Sequence, residues 1–439
     1  MIIESVVLKK RQPQVSGLLS PKAGLRFTEK TLQIIFFIHG WGMGKWGLVG
    51  LLYLLWSGVV AAKLTDLAEA PDWKRLDTFQ KSITKYEFLK QLNTVYCPRE
   101  SWWSPWFAIE ENRVRIRKKA GFEDWYDLQF SESNQSVYDS PKSFQISGSK
   151  ILIDPGHIGG EFSEMEGRHF AIGDDKPVKE GDLALSIALL VKSALEKKGA
   201  EVELTRQNNQ PVTKLRPKDF DDLAMNWFNH MEWLHGLPED EKNKRIEKRK
   251  ELYFYRVSEI MARSEIVKNR KPDLILCIHL NAAPWPDPDE KSLVARNDYH
   301  VLVNGCYMGG EMAYDNQRFE MILRLINRWA STERLIAENM SKAFAQKTGL
   351  PAFAYKGPNA LKIGDVEGVW ARNLLANRIY EAPVIFLEPY IANSKAVYQR
   401  IQMGDFDGQK KFGNQMKTSL IREYADAVVF GLEQTSNKK

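Results

Sequence analysis

Cysteine is scarce in this chain of 439 residues, and the few present constrain little. Cys97, Cys277 and Cys306 form no C-x-x-C and cannot all pair, so they supply no zinc-finger spacing. A Cys97–Cys306 disulfide stays open for an oxidising compartment, while Cys277 lies in an apolar run and reads as a buried thiol. Long apolar runs are lacking too. The stretch 48–56 falls short of the ~20 residues that a bilayer span requires. There are no internal repeats, and no aromatic-rich RNA motif accompanies the basic runs at 113–119 (RVRIRKK) and 242–250 (KNKRIEKRK). Acidic residues interleave the second run, and the net charge of +6 is slight for this length. Both runs read as solvated faces, and no nucleic-acid partner is expected. With 44% hydrophobic and 27% charged residues, the chain is ordinary globular protein, long enough for two domains.

What is present near the N-terminus is a targeting pattern. Residues 43–62 (MGKWGLVGLLYLLWSGVVAA) place a lysine first, an apolar run next and small residues last, which is the layout of a secretory signal peptide. Such peptides start at the initiator, so Met43 is the expected start and 1–42 a doubtful upstream extension. The expected location is therefore the periplasm or cell envelope. Membrane association is expected only if this segment stays uncleaved as an anchor.

Residues 63–147 read as a small α+β accessory domain. Leu76, Phe79, Ile83, Phe88, Leu89 and Leu92 recur at helical spacing within 71–96. Alternation at 107–117 and 125–130 predicts short strands, and 131–142 reads as a polar linker. Trp102, Trp103 and Trp106 read as core, with stacking on sugar rings as the alternative. From 149 to 435 apolar strands alternate with amphipathic helices: strands at 150–153, 202–205, 273–278 and 383–387, helices at 182–198 and 332–347. That alternation predicts an α/β fold with a mostly parallel central sheet flanked by helices.

Three of the apolar runs end in a polar group that can do chemistry. Residues 151–153 lead into Asp154-Pro155-Gly156-His157, 274–278 into His279 with Asn281 beyond it, and 384–387 into Glu388. In open α/β sheets, sites gather beyond the carboxyl ends of the strands. Glu180, just before the 182–198 helix, is a fourth candidate. Two imidazoles and a carboxylate make a catalytic zinc site with an open position. A further carboxylate, Glu388, then serves as the base for an attacking water. Asp154 orients the first ligand or tightens its loop; Asn281, His300 and Arg372 are weaker substrate-binding candidates, the last for a substrate carboxylate. His230 and His235 read as surface or packing residues.

Taken together, IDPGHIGG at 153–160, Glu180 before a helix, LTR at 204–206, IHLNA at 278–282 and PVIFLEPYIANS at 383–394 resemble the zinc-dependent N-acetylmuramoyl-L-alanine amidases of type 3. The resemblance covers 149–431. It implies one zinc ion per chain held by His157, Glu180 and His279, with Glu388 as general base. The implied reaction is cleavage of peptidoglycan between N-acetylmuramic acid and L-alanine. The chain departs from the family in a long segment behind the first histidine, where Glu161, Glu164, Glu166 and His169 compete with Glu180 as ligand. Enlarged stretches at 217–255 and 284–328 are further departures. Phe319, Leu323, Ile326 and Asn327 in the second fall at helical spacing, so a helix there could occlude the zinc until an activator protein displaces it, or merely decorate the fold. Two other readings stay open: a zinc peptidase or carboxypeptidase on the stems, and a non-catalytic cell-wall-binding protein.

Overall fold

In the computed structural model, residues 67–68, 70–132, 144–287 and 290–436 are described. The expected upstream extension, signal peptide and nearly all of the linker lie outside them. The helix expected across 71–96 is split into three: a 3-10 turn at Trp73–Phe79, α1 at Lys85–Gln91 and a π turn at Leu92–Tyr96. Two N-caps explain the break. Asp72 accepts the N–H of Lys74, and Thr84 accepts the N–H of Glu87, so the chain starts helix twice. Next come three antiparallel strands, β1 (Phe107–Ile109), β2 (Arg113–Arg117) and β3 (Trp125–Gln129). In β2 the pattern RVRIR turns Val114 and Ile116 fully inward and leaves its arginines half-exposed, as a period of two requires.

The remainder follows as β4 (Lys150–Pro155), a small pair β5 (His169–Phe170) and β6 (Val178–Lys179), α2 (Glu180–Glu196), β7 (Glu201–Leu204), α3 (Asp221–Asn229), α4 (Glu239–Leu252) and α5 (Glu259–Arg270). Then come β8 (Leu274–Ile278), β9 (Tyr299–Val303), α6 (Asp315–Ile326), α7 (Trp329–Thr348), β10 (Leu361–Lys362), β11 (Val369–Ala371), β12 (Val384–Pro389), α8 (Lys395–Gln402), a hairpin β13 (Lys410–Phe412) and β14 (Gln415–Lys417), and α9 (Leu420–Ser436).

Seven strands form the central sheet in the order β10-β11-β9-β12-β8-β4-β7. Strands β12, β8, β4 and β7 are parallel, so their carboxyl ends share one edge. Strand β9 runs antiparallel to β12 and parallel to β11. The continuous apolar runs reflect burial on both faces. One face packs Ile151, Ile153, Leu276, Ile278, Ile385 and Leu387 with residues of α2, α7 and α9; the other packs Leu152, Ile275, Cys277 and Phe386 with Val267 of α5 and Tyr380.

The described residues form one compact unit. Leu76, Phe88, Tyr96, Trp103, Val114 and Leu128 share a core with Tyr307, Phe319, Ile322 and Ile326. Trp103 is buried there, while Trp102 and Trp106 lie half-buried beside Arg99 and Arg318. Cys97, Cys277 and Cys306 are free thiols, all buried. No helix among the described residues is long and apolar enough to cross a membrane.

Candidate metal centre and active site

The register of the parallel strands brings the candidates together. Ile153 pairs with Leu276 and Leu387 with Ile278, so the residues just beyond these strands emerge side by side. His157 follows β4 on a turn and His279 follows β8 directly. Glu180 proves to be the first residue of α2 rather than a residue ahead of it. One oxygen of Glu180 lies 3.0 Å from Nδ1 of His279, the other 3.3 Å from Nε2 of His157. The two imidazoles meet edge to face, with centroids 5.1 Å apart.

Glycines make this closeness possible. A Cβ on Gly156 would lie 2.3 Å from the ring of His279, and one on Gly181 would lie 2.5 Å from the backbone nitrogen of Gly159. Any larger side chain would push the His157 loop away from Glu180 and His279. His279 in turn stacks on Phe386 at 4.3 Å.

These three residues are the cluster among the described residues able to hold a metal, with ligand atoms all within 4.8 Å of one another. The donor set fits zinc. Two imidazoles and one carboxylate are a ligand combination that zinc uses, and here one Glu180 oxygen faces His279 at 3.0 Å while the other faces His157 at 3.3 Å. Burial opposes the charge on Glu180, but His157, His279 and the Arg168 guanidinium, 3.3 Å away, outweigh it and hold the carboxyl well below its ordinary range. The group is therefore an anion at neutral pH.

Beneath the ligands lies a polar network. Arg263 of α5 donates to Asp154 (2.9 Å), to the carbonyls of Pro155 (2.8 Å) and His157 (2.9 Å), and to Glu259 (2.9 Å). Arg206 donates to the carbonyls of Pro155 (3.1 Å), Gly156 (3.0 Å) and Gly181 (2.7 Å), tying the His157 loop to the start of α2. Burial lowers Arg206 to about 10, which leaves it charged at neutral pH. Asp154 also accepts from Thr205 (2.5 Å) and Tyr380 (2.9 Å). Burial works against its ionisation, yet Arg263 and these two hydroxyls keep its carboxyl below the usual range. Asp154 thus anchors the end of β4 through its neighbours.

Glu388 sits near the end of β12, 6% exposed, next along its strand from Leu387, the register partner of Ile278. On its other side it pairs with His300 of β9. His300 is buried beside Tyr355 (3.1 Å), and burial lowers it to about 4, so it is neutral at pH 7. Arg372 follows β11; it donates to the Tyr355 hydroxyl (3.3 Å), with its guanidinium 5.2 Å from that ring's centre. Asn281 is turned back on the chain, its side-chain oxygen accepting the N–H of Ala282 (2.8 Å).

Three of Glu180's rivals, Glu164, Glu166 and His169, make other contacts. His169 contacts Ser163 and Glu164, and Glu166 binds backbone amides of the His157 loop. His230 caps a carbonyl in α3, and His235 meets the Phe228 carbonyl. The helix at 315–326 exists but is almost wholly buried, packed against α1, Trp73 and α7. Its Glu320 pairs with Arg378 at 2.6 Å, and nearby Glu311 caps Met308. Neither acidic group joins the metal cluster.

The profile of the N-acetylmuramoyl-L-alanine amidases matches residues 151–421, more than half of the chain. The chain belongs to this family. No curated protein matches it closely enough to count as a relative. Among solved structures it is similar to the amidase Ami1 from Mycobacterium smegmatis, at 15% identity and TM-score 0.36, over 67% of this chain and 100% of that one. Cwp6 from Clostridium difficile matches at 15% identity and TM-score 0.34 over 66% of this chain; the match spans only 29% of Cwp6. The CwlD amidase from Clostridioides difficile, solved in complex with the GerS lipoprotein, matches at 14% identity and TM-score 0.34, over 65% and 98% of the two chains. The amidase profile spans His157, Glu180, His279 and Glu388, and the family's reaction is hydrolysis of the muramoyl–L-alanine amide of peptidoglycan.

Proposed function

We propose that this amidase depends on zinc held by His157, Glu180 and His279, that Glu388 is its general base, and that it works outside the cytoplasm. The observation carrying the proposal is the spacing of the three donors at the carboxyl edge of the parallel strands, with Glu388 at the end of the neighbouring strand. A zinc ion held there supplies Lewis acidity, polarising the scissile carbonyl and making water easier to deprotonate.

The protein's own groups do the rest. Glu388 takes a proton from the attacking water and passes it to the departing amide nitrogen, so the stem peptide leaves with a neutral amine. Its burial on a strand holds the carboxylate in one place. Arg206 and Arg263 keep the ligand loop rigid, which limits the reorganisation needed during reaction. His300 and Arg372 lie on the side of Glu388 away from the ligands and are proposed to border bound substrate; Asn281 shapes the turn after His279.

Residues 63–147 are proposed as an accessory segment and 149–435 as the catalytic domain, with secretion directed by 43–62. An activator protein is likewise proposed.

Mass spectrometry of purified sacculi incubated with the protein tests the reading. Intact stem peptides beginning with L-alanine, lost on chelation and restored by zinc, are the expected products. Peptides cut within the stem would establish a peptidase instead, and zinc-loaded protein that binds sacculi without turnover would establish a wall-binding protein.

A further inference from the structure

His157 poses a problem that His279 does not. His279 follows straight from a strand and rests on Phe386. His157 sits on a loop with positive φ at His157 (58°), Gly159 (79°) and Gly160 (56°), and a residue with a Cβ resists that conformation. A ligand on such a loop needs something to hold both its backbone and its ring.

Glu166 meets both needs. Its side chain is 1% exposed. One oxygen accepts the N–H of Ile158 at 2.8 Å and the other the N–H of Gly159 at 3.0 Å, so the carboxylate spans the two residues after His157. The first oxygen also lies 3.5 Å from Nδ1 of His157, within reach of a small ring rotation. The opposite nitrogen, Nε2, faces Glu180. Because both its oxygens are committed to backbone amides, Glu166 is unsuited to bind metal itself.

We infer that Glu166 is a positioning residue: it pins the left-handed loop and accepts the Nδ1 proton of His157, leaving the Nε2 lone pair for the metal. This rests on His157 being a zinc ligand, as proposed above. An imidazole can present Nε2 to a cation while neutral only if its proton is on Nδ1, and a buried carboxylate beside Nδ1 selects that tautomer.

Two measurements on the full chain test it. Competition between the protein and a chromophoric chelator gives the zinc affinity of wild type and Glu166→Gln; a loss of roughly 10–100-fold is expected. Histidine nitrogen–proton correlation spectra of the zinc-loaded wild type should show His157 bound through Nε2, with an exchange-protected proton on Nδ1. A merely structural Glu166 would not fix that tautomer. Ligation through Nδ1, or a Glu166→Gln affinity within about threefold of wild type, overturns the inference. If the variant does not fold, the wild-type spectrum decides alone. Wild type that binds no zinc defeats the ligand proposal and this one together, whereas tight wild-type binding with an unaffected variant defeats this one only.

Discussion

Around His157 the interior is polar: Asp154, Glu166, Glu180, Arg206, Glu259 and Arg263 are all buried, and each is matched to a partner. Around Phe319 it is mostly apolar: Leu76, Phe88, Val114, Leu128, Ile322 and Ile326 pack with little chemistry among them. Both regions are densely buried, but they are held in different ways. Hydrogen bonds and charges are directional and can fix an imidazole to a fraction of an ångström. Apolar contact is indifferent to direction and tolerates a change in shape. The strand edge around His157 needs the first kind of order, and the packing of α6 against α1 and Trp73 needs only the second.

The largest effect should fall on chemistry with no loss of structure. Glu388→Gln is expected to lower kcat roughly 10²–10⁴-fold while one zinc ion per chain is retained. His157→Ala should lose both zinc and activity. Metal analysis beside product release separates the two, and a Glu388→Gln enzyme with near-normal turnover would remove that residue from the mechanism.

Next comes a matched pair of core substitutions. Arg263→Met leaves Asp154 and Glu259 buried with one fewer cation, at a cost of about 3–5 kcal/mol. Phe319→Ala opens a cavity beside Trp73 at a similar cost of about 3–5 kcal/mol. Denaturant titrations measure both losses. The regions should part on zinc affinity measured in folded protein: weakened in Arg263→Met, which loses its bond to the His157 carbonyl, and unchanged in Phe319→Ala. Equal zinc affinities would mean that the polar network gives stability without alignment.

A pH effect of the same order belongs to His300. Burial holds it at about 4, against an ordinary 6.5 in the unfolded chain. Between those values the unfolded state binds a proton that the folded state refuses. The stability is full above pH 6.5 and is lost as pH falls toward 4, by about 3 kcal/mol in all. His300→Gln should flatten that part of the stability curve. An unchanged slope would assign the acid sensitivity to other groups.

The cluster at the strand edge was legible in the sequence because two of its three residues and Glu388 end apolar runs, and strand ends are where such a sheet gathers chemistry. His157, His279 and Glu388 stand out on that ground alone. Their supports do not. Arg263 and Glu259 stand four apart on a helix, a spacing that also describes an exposed ion pair, and only the fold carries them to Asp154 from more than 100 residues away. Glu166 stands among several acidic neighbours, with nothing local to single it out. In the apolar region the helical spacing of Phe319, Leu323 and Ile326 was readable, but burial of α6 on nearly all sides was not. Arg318 and Arg324, both fully buried, look from the sequence like its wet face. Arg318 is held by the carbonyls of Arg117 and Lys118, and Arg324 pairs with Glu333 of α7.

The smallest expected effect lies on the basic run of α4, whose lysines answer to acids on the same helix. Lys244 is 68% exposed and lies 3.4 Å from Asp240 and 3.3 Å from Glu241. Such pairs share their field with water and salt, and holding two long side chains together opposes most of the attraction. Lys244→Ala should shift the melting temperature by less than about 2 °C. Binding to sacculi at physiological salt should also be unchanged, since neighbouring acids already offset the charge. A marked loss of sacculus binding would show that this run recognises the anionic wall polymer, and the contrast between ordered interior charge and idle surface charge would then fail at α4.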